Sequence, residues 1–345
     1  MNSQAQLCPH CGASGKTGKI GIHSQKQQRY VCKGCQRTFS ATFGSAYYQL
    51  KKPALFTQVT TLLAYGCPAQ AIVAAYGLSE TTVRAWLKRS GGHCQQVHEQ
   101  TVGQQQWDVQ HLQADEMKVS SQIGVVWIAM VMMVSCRLWL GATVDISRSK
   151  QLIVGCLQQA ARCALCRPLL LAIDGFNRYV NAVKKSFGAR QPVGKGGRLK
   201  WVAWGNLVIT QVIKKRGGRR GHVEFVVAQG DAADAQRLRQ SSGGGNPINS
   251  AFIERLNATF RQRLSCLARR SRAQVRQSDT LKAAVFLMGC VYNYCTWHQS
   301  LAQVLYLTPR RRHWVRRTPA MVAGLTDHRW TVEEVLRYKI KGKAA

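Results

Sequence analysis

Residues 125–144 read VVWIAMVMMVSCRLWLGATV and are the one segment of the chain that is apolar enough to suggest a membrane span. Arg137 lies near the middle of this segment, whereas a spanning helix needs about 20 uninterrupted apolar residues. The segment is rich in Val, Ile, Trp and Met, which favours buried strands. We therefore predict two strands that meet near residues 135–137, in an α/β protein without membrane contact.

Two aspartates lie next to predicted strands. Asp115 is part of HLQADE, residues 111–116, which leads into the strand pair. Asp174 ends the apolar run LLLAID, residues 169–174, and this pattern is typical of a buried strand with a carboxylate at its C-terminal edge. Glu116 would point to the opposite side of an extended strand from Asp115, so we assign it a supporting or structural role.

A third acid, Glu254, lies on a helix that we predict from about Asn249. Two strand-borne aspartates and one helix-borne glutamate can hold two Mg²⁺ ions for phosphoryl transfer. Each acid taken singly could also form a salt bridge or cap a helix, and Asp231 and Asp234 are rival third carboxylates. The polar face of the Glu254 helix carries Ser250, Glu254, Asn257 and Arg261, and its packing face carries Ile253, Leu256, Phe260 and Leu264.

The charge of the chain indicates a polyanionic partner. Its 49 Lys and Arg against 15 Asp and Glu give a formal net charge of +34 over 345 residues. Nucleic acid phosphates relieve self-repulsion on that scale, whereas an acidic small molecule needs only a local basic pocket. Residues 1–79 contain no carboxylate at all. We therefore predict that the N-terminal region contacts DNA.

The N-terminal region contains two CxxC motifs, Cys8–Cys11 and Cys32–Cys35. This spacing is typical of a Cys₄ zinc ribbon, in which the metal replaces the core that about forty residues cannot build. Four buried free thiols are the alternative. The polar N-terminus has no signal-type segment, so the thirteen cysteines predict a reducing, cytoplasmic location.

Residues 53–97 predict three helices, of which the last runs from Glu80 to about Ser90 with Ser79 as its N-cap. A tight turn at Gly77 before this helix is typical of a helix-turn-helix. An ordinary three-helix bundle is the alternative. The residues that we predict to contact DNA are Thr81, Thr82, Arg84, Lys88 and Arg89 on this helix, and Asn257, Arg261, Arg269 and Arg270 in the Arg-rich region after Glu254.

Taken together, these segments resemble the bacterial insertion-sequence transposases of the DDE class, most closely the insertion-sequence-one family. The resemblance extends from about Cys8 to Leu336. Its most specific segments are the one around Glu254 and the one at residues 318–326. It rests on CPHC…CKGC with the helices behind it, on Ala114-Asp115-Glu116, Ala172-Ile173-Asp174, NSAFIERLN at 249–257, Tyr292-Asn293-Tyr294, and TPAM…GLT at 318–326.

The resemblance implies a ribonuclease H-like mixed sheet flanked by helices, with Asp115, Asp174 and Glu254 as the catalytic, magnesium-binding triad. It implies a DNA transposase that binds terminal inverted repeats, cleaves the ends by two-metal hydrolysis and transfers the 3′-OH to target DNA. The resemblance also implies a homodimer or larger homo-oligomer that is associated with the nucleoid of a bacterium. The domains that we predict are a zinc ribbon at 1–48, a helix-turn-helix at 50–98, a catalytic domain at 105–300 with a basic hairpin inserted at about 190–247, and a basic tail at 301–345.

Two other functions share some of these features. A DNA-binding protein without catalysis, either a transcription factor or a domesticated transposase, would need no acids at metal-binding positions. A nuclease that acts on RNA would not need a helix made for a major groove. A third CxxC motif, Cys163–Cys166, lacks a partner pair nearby, and for it and for His298 we favour structural roles.

Overall fold

The computed structural model of the protein describes residues 7–22, 28–122, 124–175, 178–192, 199–215, 222–267, 276–308 and 311–341. It has an α/β architecture with a six-stranded mixed sheet flanked by helices. The first elements are β1 (Thr17–Ile22), β2 (Gln28–Cys32), β3 (Thr38–Ser40), α1 (Pro53–Ala64), α2 (Ala69–Tyr76) and α3 (Glu80–His98).

The middle of the chain supplies the central sheet and its helices. Its elements are β4 (His111–Ser121), β5 (Gly124–Met133), β6 (Leu138–Asp145), α4 (Lys150–Arg162), β7 (Leu169–Asp174), α5 (Arg178–Ser186), β8 (Gly188–Pro192), β9 (Leu199–Ala203), β10 (Leu207–Lys215), β11 (His222–Gln229), α6 (Ala232–Ser241) and α7 (Ala251–Arg263). The last elements are α8 (Ser278–Cys290), β12 (His298–Thr308), β13 (Arg311–Arg317), α9 (Pro319–Val322) and α10 (Val332–Arg337).

The central sheet has the strand order β11-β10-β7-β4-β5-β6. β4 and β10 run parallel to β7, and the other neighbouring strands are antiparallel. β5 and β6 are the two strands predicted from residues 125–144, and they meet at residues 134–137, so this prediction is confirmed. Within the described residues, no helix has both the length and the apolar character that a membrane crossing requires.

The two faces of the sheet enter separate hydrophobic cores. Leu112 and Ala114 of β4 pack with buried residues of α4 and α5. Met117 of the same strand packs with buried residues of α7 and α8. Because side chains alternate along a strand, Asp115 lies on the same face as Met117, toward α7.

The basic hairpin predicted as an insertion at about 190–247 is instead part of the central sheet. β10 and β11 pair antiparallel, but β10 also pairs in parallel with β7, with Val208 opposite Leu170. Alternate residues of β10 enter different cores, as Val208 packs toward α6 and Ile209 toward the opposite face. An apolar strand of this kind needs cover on both sides, which an isolated hairpin lacks. Among the described residues of this region, β8 and β9 form a separate two-stranded sheet.

Helix α3 ends at His98 rather than near Ser90, and a π-helical turn extends it to Gly103. The added part of the helix packs closely on α8. At Gly91 a β-carbon would lie 2.2 Å from the carbonyl oxygen of Ala283. The predicted domain boundary at 98–105 therefore does not coincide with a break in packing, since α3 shares a core with the sheet.

The described residues between 301 and 341 form secondary structure and part of a core rather than the basic tail that we predicted for 301–345. β12 and β13 pair as a two-stranded antiparallel sheet. Val335 and Leu336 of α10 are fully buried in the core that also contains α8 residues. The backbone N–H of Ile340 donates to the carbonyl of Gly44 at 2.9 Å, so the end of the chain binds to the segment that follows the cysteines.

We predict that Gly91→Ala destabilises the protein. The new methyl group would collide with the backbone of α8, and overpacking of this kind costs about 1–3 kcal/mol in the free energy of unfolding. Thermal unfolding of the full chain measures the effect. Gly92→Ala is the matched control, because no atom lies within 4 Å of its β-carbon position and alanine favours a helix by about 1 kcal/mol. Equal melting temperatures for the two variants would contradict the α3–α8 packing.

Candidate active site and metal centre

Helix α7 is attached to β4 through the side chain of Gln113. The backbone N–H of Ile253 donates to Gln113 Oε1 at 2.9 Å, and Gln113 Nε2 donates to the carbonyl of Asn249 at 2.6 Å. The first N–H groups of a helix have no partner within the helix, so this buried amide supplies one. The apolar side chains Ile253, Leu256 and Phe260 are buried below it, which confirms the predicted packing face.

Asn257 lies one turn further along α7 and faces the same strand. Its side chain is 2% exposed, and its Nδ2 donates to Asp115 Oδ2 at 2.7 Å. This contact corrects the prediction that Asn257 binds DNA, because the amide is buried against the aspartate. Among the described residues, the buried Oδ1 of Asn257 has no hydrogen-bond partner.

Asp115 and Asp174 lie side by side on neighbouring strands. Ala114 pairs with Ile173 in the parallel β4–β7 register, and the two aspartates follow this pair directly. Adjacent strands are about 4.8 Å apart. Asp174 ends β7, as its sequence predicts, and accepts a hydrogen bond from the N–H of Gly175 at 2.7 Å.

Asp115 is a carboxylate in an unfavourable environment. Its pKa is raised from the ordinary value of 3.8 to about 7, mainly by burial and then by the charges of Glu116, Asp174 and Glu254, whereas the hydrogen bond from the N–H of Glu116 lowers it. Within the described part of the chain, no ion pair reaches Asp115 or Asp174. Asp174 and Glu254 therefore lie close enough to Asp115 for their charges to raise its pKa.

Glu254 lies on α7 and accepts a hydrogen bond from the hydroxyl of Ser250. Among the described residues, the four cysteines are the one set of metal-binding groups whose ligand atoms all lie within 4.8 Å of one another. The carboxylate oxygens of Asp115, Asp174 and Glu254 are therefore spread more widely than this. The three acids thus do not form a compact cluster, although Asp174 and Glu254 affect the pKa of Asp115.

Glu116 has the structural role that we predicted for it. It is buried on the opposite face of β4 from Asp115, where it pairs with Arg148 and accepts a hydrogen bond from the Tyr179 hydroxyl. Burial, followed by the charge of Glu116, raises the pKa of Tyr179 well above 10. Two adjacent acids therefore have different environments, one compensated by a cation and the other by an amide.

The rival acids Asp231 and Asp234 lie at the start of α6. Asp231 is the N-cap residue, and its carboxylate accepts from the backbone N–H groups of Ala233 and Asp234 at 2.8 and 3.2 Å. Asp234 pairs with Arg237 at 2.6 Å. Asp231 thus caps a helix and Asp234 forms an ion pair, which are ordinary structural roles for a carboxylate.

The four cysteines of the two CxxC motifs lie together. The Sγ atoms of Cys8 and Cys35 are 3.7 Å apart, and those of Cys11 and Cys32 are 3.6 Å apart. A tetrahedral zinc site with Zn–S bonds of about 2.3 Å has sulfur atoms about 3.8 Å apart. The pKa of Cys32 is lowered to about 6, mainly by a hydrogen bond from the backbone N–H of Cys35. This lower pKa favours the thiolate, which is the form of cysteine that binds a metal. This cluster could hold a metal ion such as zinc.

Helices α1, α2 and the start of α3 pack around Val59, Ile72 and Val83. Gly77 has a φ of 60°, in the left-handed region that suits glycine, and turns the chain between α2 and α3. Ser79 accepts a hydrogen bond from the N–H of Thr82 at 3.2 Å, which confirms it as the N-cap.

The predicted DNA contacts on α3 have unequal surroundings. Thr81 is exposed, Arg84 pairs with Glu80 at 2.5 Å, and Lys88 donates to Gln277 at 2.8 Å. Arg89 is half-buried and donates to the carbonyls of Ala46 and Tyr48. Its guanidinium therefore attaches the segment after the cysteines to α3, which corrects its prediction as a DNA contact.

Several other predicted residues have simpler outcomes. Arg261 is half-buried on α7, and Arg269 and Arg270 lie outside the described residues. Cys163 is buried and Cys166 is exposed, and neither belongs to the metal-binding set. His298 Nε2 lies 3.1 Å from the Tyr292 hydroxyl, and burial lowers its pKa to about 4, as fits the structural role that we favoured.

Gln113, Arg148 and Tyr179 support the site, and sequence reasoning did not identify them. A signal was present for Gln113, because it lies two residues before Asp115 and so shares its face of the strand. Arg148 and Tyr179 reach Glu116 only through the fold. No protein-family model matches the chain. Its functional assignment therefore depends on the motifs and on this geometry.

We predict that the carboxyl of Asp115 destabilises the magnesium-free protein as pH rises. A folded-state pKa of about 7 lies above the ordinary value of 3.8, so stability is fully present near pH 4 and is lost as pH rises to 7. Asp115→Asn removes this titration. In magnesium-free buffer, the melting temperature of the variant should exceed that of the native chain at pH 8 and approach it at pH 4. Parallel pH profiles for the two proteins would show that Asp115 has an ordinary pKa.

We predict one zinc ion per chain at the four cysteines. Metal analysis of the purified protein should detect it, and Cys32→Ser should release it, because one of four thiolate ligands is lost. Cys67→Ser is the matched control, since Cys67 is a half-buried cysteine outside the cluster. A folded N-terminal region that contains no metal would contradict the prediction.

Proposed function

We propose that the protein is a DNA transposase of the DDE class, which cleaves the ends of an insertion sequence and joins them to target DNA. The observation that carries the proposal is the convergence of Asp115, Asp174 and Glu254 from two neighbouring strands and a helix. The motifs around these acids are those on which the resemblance rests. We also propose that the sheet is of the ribonuclease H type which that resemblance implies.

The side chains around Asp115, Asp174 and Glu254 suit magnesium. The donor atoms are carboxylate oxygens, which Mg²⁺ prefers, and the orphaned Oδ1 of Asn257 adds an amide oxygen beside them. Two Mg²⁺ ions about 4 Å apart, each with ligands at about 2 Å, are compatible with acids spread over about 8 Å. The wider spacing of the three acids therefore fits a two-ion site better than a single-ion site.

Asp115 and Asp174 would hold the ions, and Glu254 would complete the set. Bound Mg²⁺ supplies charge stabilisation for the attacking and leaving oxygens of the phosphodiester. The chain itself orients the ligands: Asn257 holds one oxygen of Asp115, Ser250 holds Glu254, and Gln113 fixes the helix that carries both. Such partners typically matter 10–100-fold for metal affinity or activity.

The N-terminal region supports the choice of DNA as substrate. It combines the cysteine cluster, the α2–α3 turn and an acid-free sequence up to Glu80. We propose that α3 acts as the recognition helix of a helix-turn-helix, with Thr81 and Arg84 toward the terminal repeats. Two ends must be joined in one reaction, so we propose that the protein acts as a dimer or a larger oligomer on double-stranded DNA.

The test is cleavage of labelled DNA that contains the ends of the element that encodes the chain, in the presence of Mg²⁺. The native chain should nick at the ends. Glu254→Gln keeps the size of the side chain and removes one anionic ligand, so we expect cleavage to fall by more than roughly 100-fold, beyond the usual effect of an outer-shell partner.

Asp234→Asn is the matched control, because it removes an exposed acid that pairs only with Arg237 among the described residues. It should cleave like the native chain, and both variants should retain DNA binding. Binding without cleavage by the native chain would favour the non-catalytic DNA-binding function. Cleavage by Glu254→Gln, but not by Asp234→Asn, would show that the third acid is misassigned.

A further inference from the structure

The antiparallel strands β12 and β13 form a two-stranded ribbon that is separate from the central sheet. The ribbon, as we call it below, comprises His298–Thr308 and Arg311–Arg317. Isolated two-stranded hairpins are marginally stable in water. A ribbon of this length, with large apolar side chains in solvent, therefore needs a functional explanation.

One face of the ribbon combines aromatic rings with arginines. Tyr306 lies opposite Arg312, and Val304 lies opposite Trp314, so these four side chains share a face. Arg316 follows on the same face, because side chains alternate along β13. Tyr306 is 66% exposed and Trp314 is 60% exposed. The two rings are diagonal neighbours, about 7–8 Å apart at their backbones.

The charge of the ribbon selects a polyanion as its partner. The chain has no Asp or Glu from residue 280 to residue 326, a range that includes both strands. The guanidinium of Arg312 lies 5.7 Å from the centre of the Tyr306 ring, and Arg316 is exposed. A second copy of the same face would bring like charges together, which disfavours self-association through it.

The exposed rings favour unpaired bases over a duplex. Aromatic side chains next to arginines are the usual surface for single strands, where each base offers a free face for stacking. In a duplex the bases already stack on one another, so a flat ribbon could contact only their edges or the phosphates. The diagonal spacing of the two rings is about twice the 3.4 Å rise of stacked bases.

We propose that this face of the ribbon binds single-stranded DNA, with Trp314 and Tyr306 stacked on bases and Arg312 and Arg316 on phosphates. The inference goes beyond the proposed cleavage activity because it does not need the carboxylates. Only the choice of DNA over RNA rests on the proposed function.

The test measures binding of the full chain to fluorescent oligothymidylate by anisotropy, over a series of salt concentrations. Trp314→Ala should weaken binding at least about fivefold, as expected for the loss of one stacked base. Arg312→Ala with Arg316→Ala should reduce the slope of log affinity against log salt by about 1.4, since each phosphate contact to a single strand contributes roughly 0.7.

Two controls separate the ribbon from general charge and from other exposed rings. Arg162→Ala with Arg167→Ala removes the same charge from arginines that pair with Glu99 and Asp108. Trp201→Ala removes a ring that is 50% exposed on β9. Both controls should bind like the native chain. Trp314 is exposed, so its variant should keep the native melting temperature.

Native-like binding by both ribbon variants would overturn the inference, and so would equal losses in the controls. A loss confined to duplex DNA, a preference for oligouridylate, or a change in oligomeric state would likewise overturn it in favour of another partner. None of these results bears on cleavage at the element ends. If the native chain cleaves those ends while the ribbon variants bind oligothymidylate normally, the inference fails and the proposed function stands.

Discussion

The position of α7 on the sheet depends on the buried side-chain amide of Gln113, and the positions of Glu254 and Asn257 relative to Asp115 depend on α7. This amide accepts from the first turn of α7 and donates to the carbonyl just before that turn, so it fixes both the height and the rotation of the helix on β4. Glu254 and Asn257 lie within the next turn, and their direction toward Asp115 follows from this attachment. Apolar packing alone would hold the helix on the sheet, but it would not select one rotation so strictly.

Much of the candidate site could be predicted because its signals are local. Asp174 ends an apolar run, Asp115 precedes one, and Glu254 shares a helix with apolar residues at helical spacing. The role of Asn257 could not be predicted, because periodicity gives the face of a helix but not its partner. The position of β10 in the central sheet could not be predicted for a similar reason. Its parallel pairing with β7 joins distant parts of the chain, and the local sequence pattern does not indicate such a pairing.

The domain organisation also depends on contacts between distant segments. The N-terminal and C-terminal parts of the chain look separate in sequence, yet Ile340 binds the backbone of Gly44 and α10 enters the same core as α3 and α8. Arg89 adds a second attachment between α3 and the segment after the cysteines. The proposed recognition helix therefore packs on α8, in the core that also covers the face of the sheet that carries Asp115.

The difference between the partners of Glu116 and those of Asp115 is the strongest physical argument for the cation that we propose at Asp115. Both acids are on β4, and the chain contains 49 Lys and Arg, so a basic partner for each was available. Glu116 has Arg148 and the Tyr179 hydroxyl. Asp115 has an amide, and its burial, together with the charges of neighbouring acids, raises its pKa to about 7. Burying a carboxylate without a cation costs stability, and the Mg²⁺ ions that we propose for this site would supply the positive charge that Asp115 lacks.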